Sequence, residues 1–232
     1  MLTLYYTINS PYARKVRVAL AEKEIAHQAE LLTARPPAEG RIYPERYEQD
    51  NPSLRVPMIV DEGRAIWESN LILEYLLRAY PGRQGRGTPP FSRTFTREAH
   101  HIDDLLTIHT VETLLNSALN IYAFRRDGVS RENVPYLRRE ADRTQAILDW
   151  LEARITPEGF IPAEFCVADL NLACALTWIG FRQPVEWRGR LKLERLHALW
   201  EQRPAMRGTG PEPAAHDPAS AGAPGPHEQR NG

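Results

Sequence analysis

The sequence predicts a chain of two parts, an α/β domain with the element order βαβαββα followed by an all-α helical bundle. At 232 residues the chain exceeds a single small module, because domains average about 150 residues. Strand-like and helical patterns alternate as far as residue 80, and the pattern beyond residue 93 is helical throughout. We therefore place an α/β domain at 1–80, a linker at 81–92 and a helical domain at 93–207.

The first elements follow one another closely. Residues 2–7 are rich in β-branched and aromatic side chains, as in a short strand. Ser10 has the chemistry of a helix N-cap, and Pro11 suits the first helical position because its missing N–H would have no partner there. A second strand is expected at 27–32. The order so far is strand, helix, strand.

A β-hairpin and a helix complete the α/β domain. The apolar runs at 56–60 and 65–67 flank the turn signal Asp61-Glu62-Gly63, which is typical of a hairpin. A helical pattern then begins at Glu68-Ser69 and stops before Pro81-Gly82. The irregular stretch between the second strand and the hairpin is expected to hold at most one short helix.

The remaining chain divides into a linker, four helices and a tail. Residues 81–92 are rich in Gly, Pro, Arg and Thr and lack apolar periodicity. Residues 208–232 contain five Gly, five Pro and five Ala without a large apolar side chain, so we expect a disordered tail. Between them, helices are expected near residues 94–124, 133–155, 167–181 and 191–202.

Composition excludes several functional classes. The 29 basic and 30 acidic residues give a net charge of -1, which disfavours bulk nucleic-acid binding. The longest apolar run, 172–181, is about half of a membrane span. The first residues lack the features of a secretory signal, and Cys166 and Cys174 lie too far apart on one helix to form a disulfide. We expect a cytoplasmic protein without a membrane segment.

Three short motifs carry the chemistry: Ser10-Pro11-Tyr12, Val56-Pro57 and Glu68-Ser69. A proline at the start of a central strand would remove a ladder hydrogen bond, which favours a cis bond in a special turn. Such a turn leaves the backbone of Val56 open to an extended, peptide-like ligand. Glu68-Ser69 opens a helix, whose N-terminus attracts a carboxylate. The predicted ligand is therefore peptide-like and anionic.

In this order, and followed by a helical domain, the three motifs resemble the cytosolic glutathione S-transferase superfamily, whose N-terminal domain is thioredoxin-like. The resemblance covers residues 1–207 and includes a Ser/Thr-x-x-Asp-like box in which Asp169 matches and Cys166 replaces the hydroxyl residue. It implies a glutathione site that consists of Arg55, Val56, Pro57, Glu68 and Ser69. In the family, the Val-Pro backbone holds the cysteinyl part and the Glu-Ser pair binds the γ-glutamyl group.

The resemblance implies that Ser10 faces the glutathione sulfur as the catalytic residue. Its hydroxyl would donate to the thiolate, and the positive end of the following helix adds roughly 0.3 to 1 kcal/mol. Arg14, one turn on, would add positive potential. The implied reaction is conjugation of glutathione to a small hydrophobic electrophile, by a homodimer. The electrophile is expected against Tyr12, Thr107, Ile108 and Val111, which are chosen by position.

Alternatives to the transferase interpretation remain open. The same thiolate would serve a glutathione-dependent reductase, peroxidase or isomerase. The chain also resembles stringent starvation protein A, which has the transferase fold but acts through protein partners such as RNA polymerase. Ser10 before Pro11, taken alone, is more typical of a simple N-cap than of a catalytic residue, and the Val-Pro and Glu-Ser motifs reverse that order. His100 and Asp104 share a helical face, but two such residues are far from a metal site, and no metal is expected.

Overall fold

The computed structural model describes residues 1–32, 43–81 and 87–213. The strand order in the sheet is β2-β1-β3-β4, with β1 parallel to β2 and antiparallel to β3. This arrangement confirms the predicted βαβαββα domain. Its elements are β1 (Leu2–Tyr6), α1 (Pro11–Glu22), β2 (His27–Leu31), α2 (Glu45–Asp50), β3 (Met58–Asp61), β4 (Arg64–Trp67) and α3 (Ser69–Ala79).

The β3–β4 hairpin forms as its turn residues predict. Glu62 and Gly63 have φ angles of 48° and 84°, and a two-residue hairpin turn with both central φ angles positive matches the twist of the strands. β3 pairs with β1 on one side and β4 on the other, so it is a central strand. The Val56–Pro57 bond that leads into β3 is cis, as the position of this proline predicts.

The second part is helical, as predicted. After a 3₁₀ turn at Glu98–His100 come α4 (His101–Arg126), a 3₁₀ turn at Arg131–Asn133, α5 (Pro135–Arg154), α6 (Val167–Arg182), α7 (Leu191–Trp200) and α8 (Pro204–Arg207). The short helix α8 has no counterpart in the sequence prediction.

Helix α4 begins later than the pattern indicates, at His101 rather than near Thr94. The preceding segment is held in place by pairing with the segment before α6: Phe91 forms an isolated bridge with Phe165, and the backbone N–H of Ser92 donates to the carbonyl of Phe165 at 3.1 Å. The backbone N–H of Arg97 donates to the carboxylate of Asp104 at 2.8 Å. These bonds replace the helical bonds of an earlier start.

One buried cluster runs from β1, α1 and α3 into α4, α6 and α7, so the two parts share a core. Helix α1 packs against α3 on one side and against α6 and α8 on the other. Asp169, in the first turn of α6, accepts the backbone N–H of Cys166 at 3.0 Å and closes the predicted capping box from inside. Both cysteines are buried and free.

Parts of the predicted organisation lie outside the described residues. These are residues 82–86 of the expected linker, residues 33–42 before α2, and the expected disordered tail from residue 214 onward. The domain boundaries therefore stay a prediction. In the part of the chain that the structure describes, no helix is long and apolar enough to cross a bilayer, and no group of acidic, His or Cys side chains is arranged to hold a metal ion.

Candidate functional site

Ser10 is the N-cap of α1. Its backbone is extended, with φ −77° and ψ 119°, and its Oγ accepts the backbone N–H of Ala13 at 3.2 Å. Pro11 follows at the first helical position. The hydroxyl proton of Ser10 is not used by this bond, because the oxygen acts as the acceptor. Ser10 therefore caps the helix and keeps one donor.

The first turn of α1 lies beneath the C-terminal segment. Ser10 lines a narrow cavity of about 10 Å³ together with Arg14, Cys174 and Pro211. The side chain of Arg14 is 3% exposed and donates to both carboxylate oxygens of Glu201 at 3.0 Å. Arg14 thus lies next to Ser10 as its spacing predicts, with its charge balanced by Glu201.

A larger cleft of about 440 Å³ opens between the two parts of the chain. Arg55 and Val56, at the end of the loop before β3 and next to the cis bond, form one wall of this cleft. Thr7, just after β1, also lines the cleft. The same side of the cleft includes Leu32, Tyr43, Tyr47 and Leu54. Residues from helix α4 form the opposite wall: Asn116, Leu119 and Asn120.

The turn at Glu68-Ser69 has an unusual backbone. Glu68 is the N-cap of α3 with φ 72° and ψ 117°, a conformation that costs a non-glycine residue of order 1–3 kcal/mol and is found mainly at functional sites. Its side chain makes no capping bond to the helix and is exposed. The first backbone N–H groups of α3 are therefore open to an acceptor, and the helix dipole favours an anionic one.

Tyr12 lines the cleft, and its hydroxyl is influenced by Arg55 and by Glu68. Burial raises the pKa of its hydroxyl well above the ordinary value, with Glu112 and Glu68 raising it further and Arg55 opposing them. The phenol is therefore protonated at neutral pH, and it donates to Oδ1 of Asn116 on α4. Tyr12 and Arg55 both line the cleft, and the Glu68 carboxylate is near enough to raise the pKa of the same hydroxyl.

A polar network contacts Asn70, the residue after the Glu68-Ser69 turn. Lys15, fully buried on α1, forms an ion pair with Glu112 on α4. The same carboxylate accepts the side-chain amide of Asn70 at 2.8 Å, and Asn70 in turn accepts the amide of Asn171 on α6 at 2.8 Å. Because Asn70 directly follows Ser69, this network joins the turn to both parts of the molecule.

The other predicted wall residues lie elsewhere. Ile108 and Val111 are buried in the shared core. Thr107 and Ile108 line a separate cavity of about 200 Å³ between the beginnings of α4 and α6. Tyr12 is the residue predicted to bind the electrophile that lines the cleft. It lies there with Arg55 and Val56, which are predicted to bind glutathione.

Sequence reasoning missed the wall from α4. Asn116 and Asn120 are spaced i, i+4, so they share one face of the helix, and the residues between them include buried Ser117 and Ala118. A pair of amides in a buried stretch is the signal that indicates a polar-lined opening there. The Lys15–Glu112 pair gives no such signal, because its members lie 97 positions apart.

Comparison with known proteins finds similar sequences and structures. Residues 9–79 match the family model described as "Glutathione S-transferase, N-terminal domain". A glutathione transferase family member from Pseudomonas fluorescens, solved with bound glutathione, is 26% identical, superposes with a TM-score of 0.72, and covers 91% of this chain and 100% of its own. Residues 9–79 thus match a glutathione S-transferase N-terminal domain, and the whole chain has the fold of glutathione S-transferases.

Further matches share the fold or part of the sequence. A glutathione S-transferase from Methylobacillus flagellatus shares the fold at 22% identity and a TM-score of 0.74, over 91% of this chain and all of that one. A stringent starvation protein A homolog from Haemophilus ducreyi is 26% identical over 82% of this chain and 79% of its own length. The homolog from Coxiella burnetii is 32% identical, but the match spans about a third of either protein, 35% and 36%.

Proposed function

We propose that this protein is a glutathione transferase that conjugates glutathione to a small hydrophobic electrophile. The observation that carries the proposal is a cleft lined by Val56 beside the cis bond, by Arg55 and by Tyr12, with the Glu68-Ser69 helix start near enough for Glu68 to act on the Tyr12 hydroxyl. These groups offer an extended backbone edge and a cation in the cleft, and an anion-binding turn near it. A short anionic peptide such as glutathione needs this combination.

In this proposal the cysteinyl backbone of glutathione pairs with Val56, and Arg55 contacts a carboxylate of the ligand. Its γ-glutamyl carboxylate accepts the open N–H groups at the start of α3, and its amine lies against the exposed carboxylate of Glu68. Ser69, 3% exposed, adds a hydroxyl at the same turn. Charge complementarity at both ends of the ligand would set its direction along the cleft.

The thiol would be activated by Ser10. Its spare hydroxyl proton and the positive end of α1 both favour a thiolate over a thiol, which lowers the pKa of the bound ligand. Tyr12 is less suited to this task, because its proton is donated to Asn116. Tyr12, Asn116 and Leu119 would instead form the wall against which the electrophile lies. The thiolate attacks the electrophilic atom, and the leaving group departs or the addition is completed by a proton.

The first experiment is calorimetric titration with glutathione together with the ultraviolet band of the bound thiolate. We expect binding with a thiolate band in the native chain. Ser10→Ala should retain binding and lose the band, but it also removes a cap worth about 1 kcal/mol. Ser10→Gly is the matched control, because Gly at an N-cap costs only a few tenths of a kcal/mol, adds no charge and cannot donate to a thiolate.

Two results decide between capping and thiol activation. Loss of the band in both variants, with near-native thermal stability in Ser10→Gly, supports activation by the hydroxyl. Retention of the band in Ser10→Ala would show that Ser10 caps α1 and does not activate the thiol. No binding at millimolar glutathione would reject the transferase, and with it a glutathione-dependent reductase, peroxidase or isomerase.

A second candidate is a non-catalytic protein that acts through a protein partner. It is favoured by the position of Pro211, which lies over the cavity of Ser10, and by the curated relatives named as stringent starvation protein A homologs. A ligand-free protein that binds RNA polymerase in a pull-down with purified components would support it.

We also propose a cytoplasmic homodimer. Leu71 on α3 is 55% exposed, and Ile102 and Leu106 on α4 are 72% and 53% exposed. Large apolar side chains at such exposure are typical of an interface. Light scattering on the purified chain should give twice the monomer mass of 26.5 kDa, and Leu71→Glu should shift it toward the monomer.

A further inference from the structure

A largely buried ion pair lies beside Ser10. Arg14 is one helical turn after Ser10 on α1, and the two residues line the same narrow cavity. Nη2 of Arg14 donates to both carboxylate oxygens of Glu201, just after α7, and to the carbonyl of Met206, each at 3.0 Å. The side chains of the pair are 3% and 28% exposed, so salt and water screen it less than a surface pair.

Glu201 is the acidic partner of Arg14. In the part of the chain that the structure describes, no other carboxylate forms an ion pair with this guanidinium. Nη1 of Arg14 is buried and has no hydrogen-bond partner among the same residues. The charge that Arg14 presents to the turn at Ser10 therefore depends on Glu201.

Two helices hold Glu201 in this position. Its Oε1 accepts the hydroxyl of Thr177 on α6 at 2.5 Å, and Nε2 of His197 on α7 lies 3.0 Å from that hydroxyl. Burial lowers the pKa of His197 against the opposing effect of Glu201, and Arg14 and Arg188 lower it further. The imidazole is therefore uncharged at neutral pH, and Arg14 is the cation that Glu201 pairs with.

The other cations in the first half of α1 have acidic neighbours of their own. Lys15 is fully buried and forms an ion pair with Glu112 on α4. Burial lowers the pKa of Arg17, and the carboxylate of Glu212 is among the groups that oppose this shift. These charges stay in place when the pair beside Ser10 is changed.

We propose that Glu201 is a positioning residue that acts through Arg14 and limits thiol activation at Ser10. This inference deepens the proposed transferase function and rests on it where the thiol is that of glutathione. A cation one turn from the start of α1 favours a thiolate, and a carboxylate on that cation cancels most of this effect. The Ser10 hydroxyl and the helix dipole then remain as the activating groups.

The test places a thiol at position 10 with Ser10→Cys in the full-length chain. Its pKa is measured from the pH dependence of alkylation by iodoacetamide, and mass spectrometry identifies the alkylated residue. Burial raises the pKa of both native thiols, Cys166 and Cys174, the latter to about 11. They therefore react little in the measured range. The measurement needs no glutathione, so a failure of the transferase proposal leaves it intact.

Three changes in the Ser10→Cys background vary the charge of the pair. Glu201→Gln leaves a net charge of about +1, Arg14→Met leaves about −1, and the double variant is neutral like the native pair. We expect the lowest thiol pKa in Glu201→Gln, the highest in Arg14→Met and an unchanged value in the double variant. Each step should move the thiol pKa by roughly 0.5 to 1 pH unit.

The double variant separates charge from packing, because a packing defect would not be cancelled by a second substitution in the same pair. Glu158→Gln is the matched control, since it makes the same chemical change at an exposed glutamate outside this network. It should leave the thiol pKa unchanged.

A thiol pKa that is unchanged or raised in Glu201→Gln would overturn the proposal. If Glu201→Gln does not fold, Arg14→Met and the double variant still differ by one charge, and equal thiol pKa values in these two would overturn it as well. In the chain that retains Ser10, Glu201→Gln should also lower the pKa of bound glutathione. Absence of glutathione binding there would reject the transferase, and the charge series would still decide the role of Glu201.

Discussion

Asp169 is a fully buried carboxyl group in the first turn of α6. Burial raises its pKa to about 7, although the backbone N–H groups of Cys166 and Phe160 both donate to it and favour the carboxylate. In an unfolded chain an aspartate titrates near pH 3.9. Between about pH 4 and pH 7 the folded state therefore holds a proton that the unfolded state has released. It follows that this residue makes folding less favourable as the pH rises through that window.

We expect Asp169→Asn to remove that contribution. The free energy of unfolding, measured in urea at several pH values between about 4 and 7, should fall less steeply with rising pH in the variant than in the native chain. Asp142→Asn is the control, because Asp142 is exposed on α5 and should leave the native slope unchanged. An identical slope in Asp169→Asn and the native chain would show that the carboxyl is ionised throughout this range.

At the scale of elements, the segment after α8 is attached to the turn before α1. The side-chain amide of Asn9 donates to the carbonyl of Glu212 at 2.9 Å and accepts the backbone N–H of the same residue at 2.9 Å. The Asn9 side chain thus satisfies both the N–H and the carbonyl of Glu212, as the backbone of a neighbouring strand would. Thr209 strengthens the attachment, since its hydroxyl lies 3.5 Å from Nε of Arg14. The segment reaches Pro211, which lies beside Ser10.

Asn9→Ala should release this segment locally. Each hydrogen bond contributes about 1 kcal/mol, so hydrogen exchange at the Glu212 amide should accelerate about tenfold or more, while the global unfolding midpoint changes little because the pair is exposed. Glu212→Ala retains both main-chain groups and should retain the protection. Equal acceleration in the two variants would mean that the Glu212 side chain, rather than Asn9, holds the segment.

Local patterns predict the elements but not their long-range partners. The start of α1 and the β3–β4 turn follow from Ser10-Pro11 and Glu62-Gly63, whose backbone preferences act within a few residues. The bond between Asn9 and Glu212 joins residues 203 positions apart, and no periodicity reports such a contact.

The same limit applies to the candidate site. The motifs around Val56 and Glu68 can be predicted from the sequence, because each is a short run of residues with its own backbone requirement. The wall from α4 depends on how that helix is placed along the cleft. The cleft is lined from Asn116 onward, nine positions beyond Thr107, which corresponds to about 13 Å along a helix. Packing of α4 against α6 sets this placement, and composition does not encode it.

At the scale of the whole molecule, the two parts are joined by a shared core and by a buried ion pair. Arg203, just before α8, donates to both carboxylate oxygens of Glu22 on α1 at 2.8 and 2.9 Å, and the side chains are 5% and 2% exposed. Arg203 also donates to the carbonyl of Pro89 at 2.8 Å. A pair with this geometry and burial has its lone pairs and protons well satisfied.

We expect the α/β and helical parts to unfold in one transition, because neither can expose its side of the shared core alone. Arg203→Met should lower the free energy of unfolding by about 3–5 kcal/mol, since it leaves Glu22 buried without a partner. The double variant Glu22→Gln with Arg203→Met should recover much of this loss, and amides of β3 and α6 should exchange through the same global opening in all three proteins. If β3 loses protection at a lower urea concentration than α6, the two parts unfold independently and the ion pair only adjoins their interface.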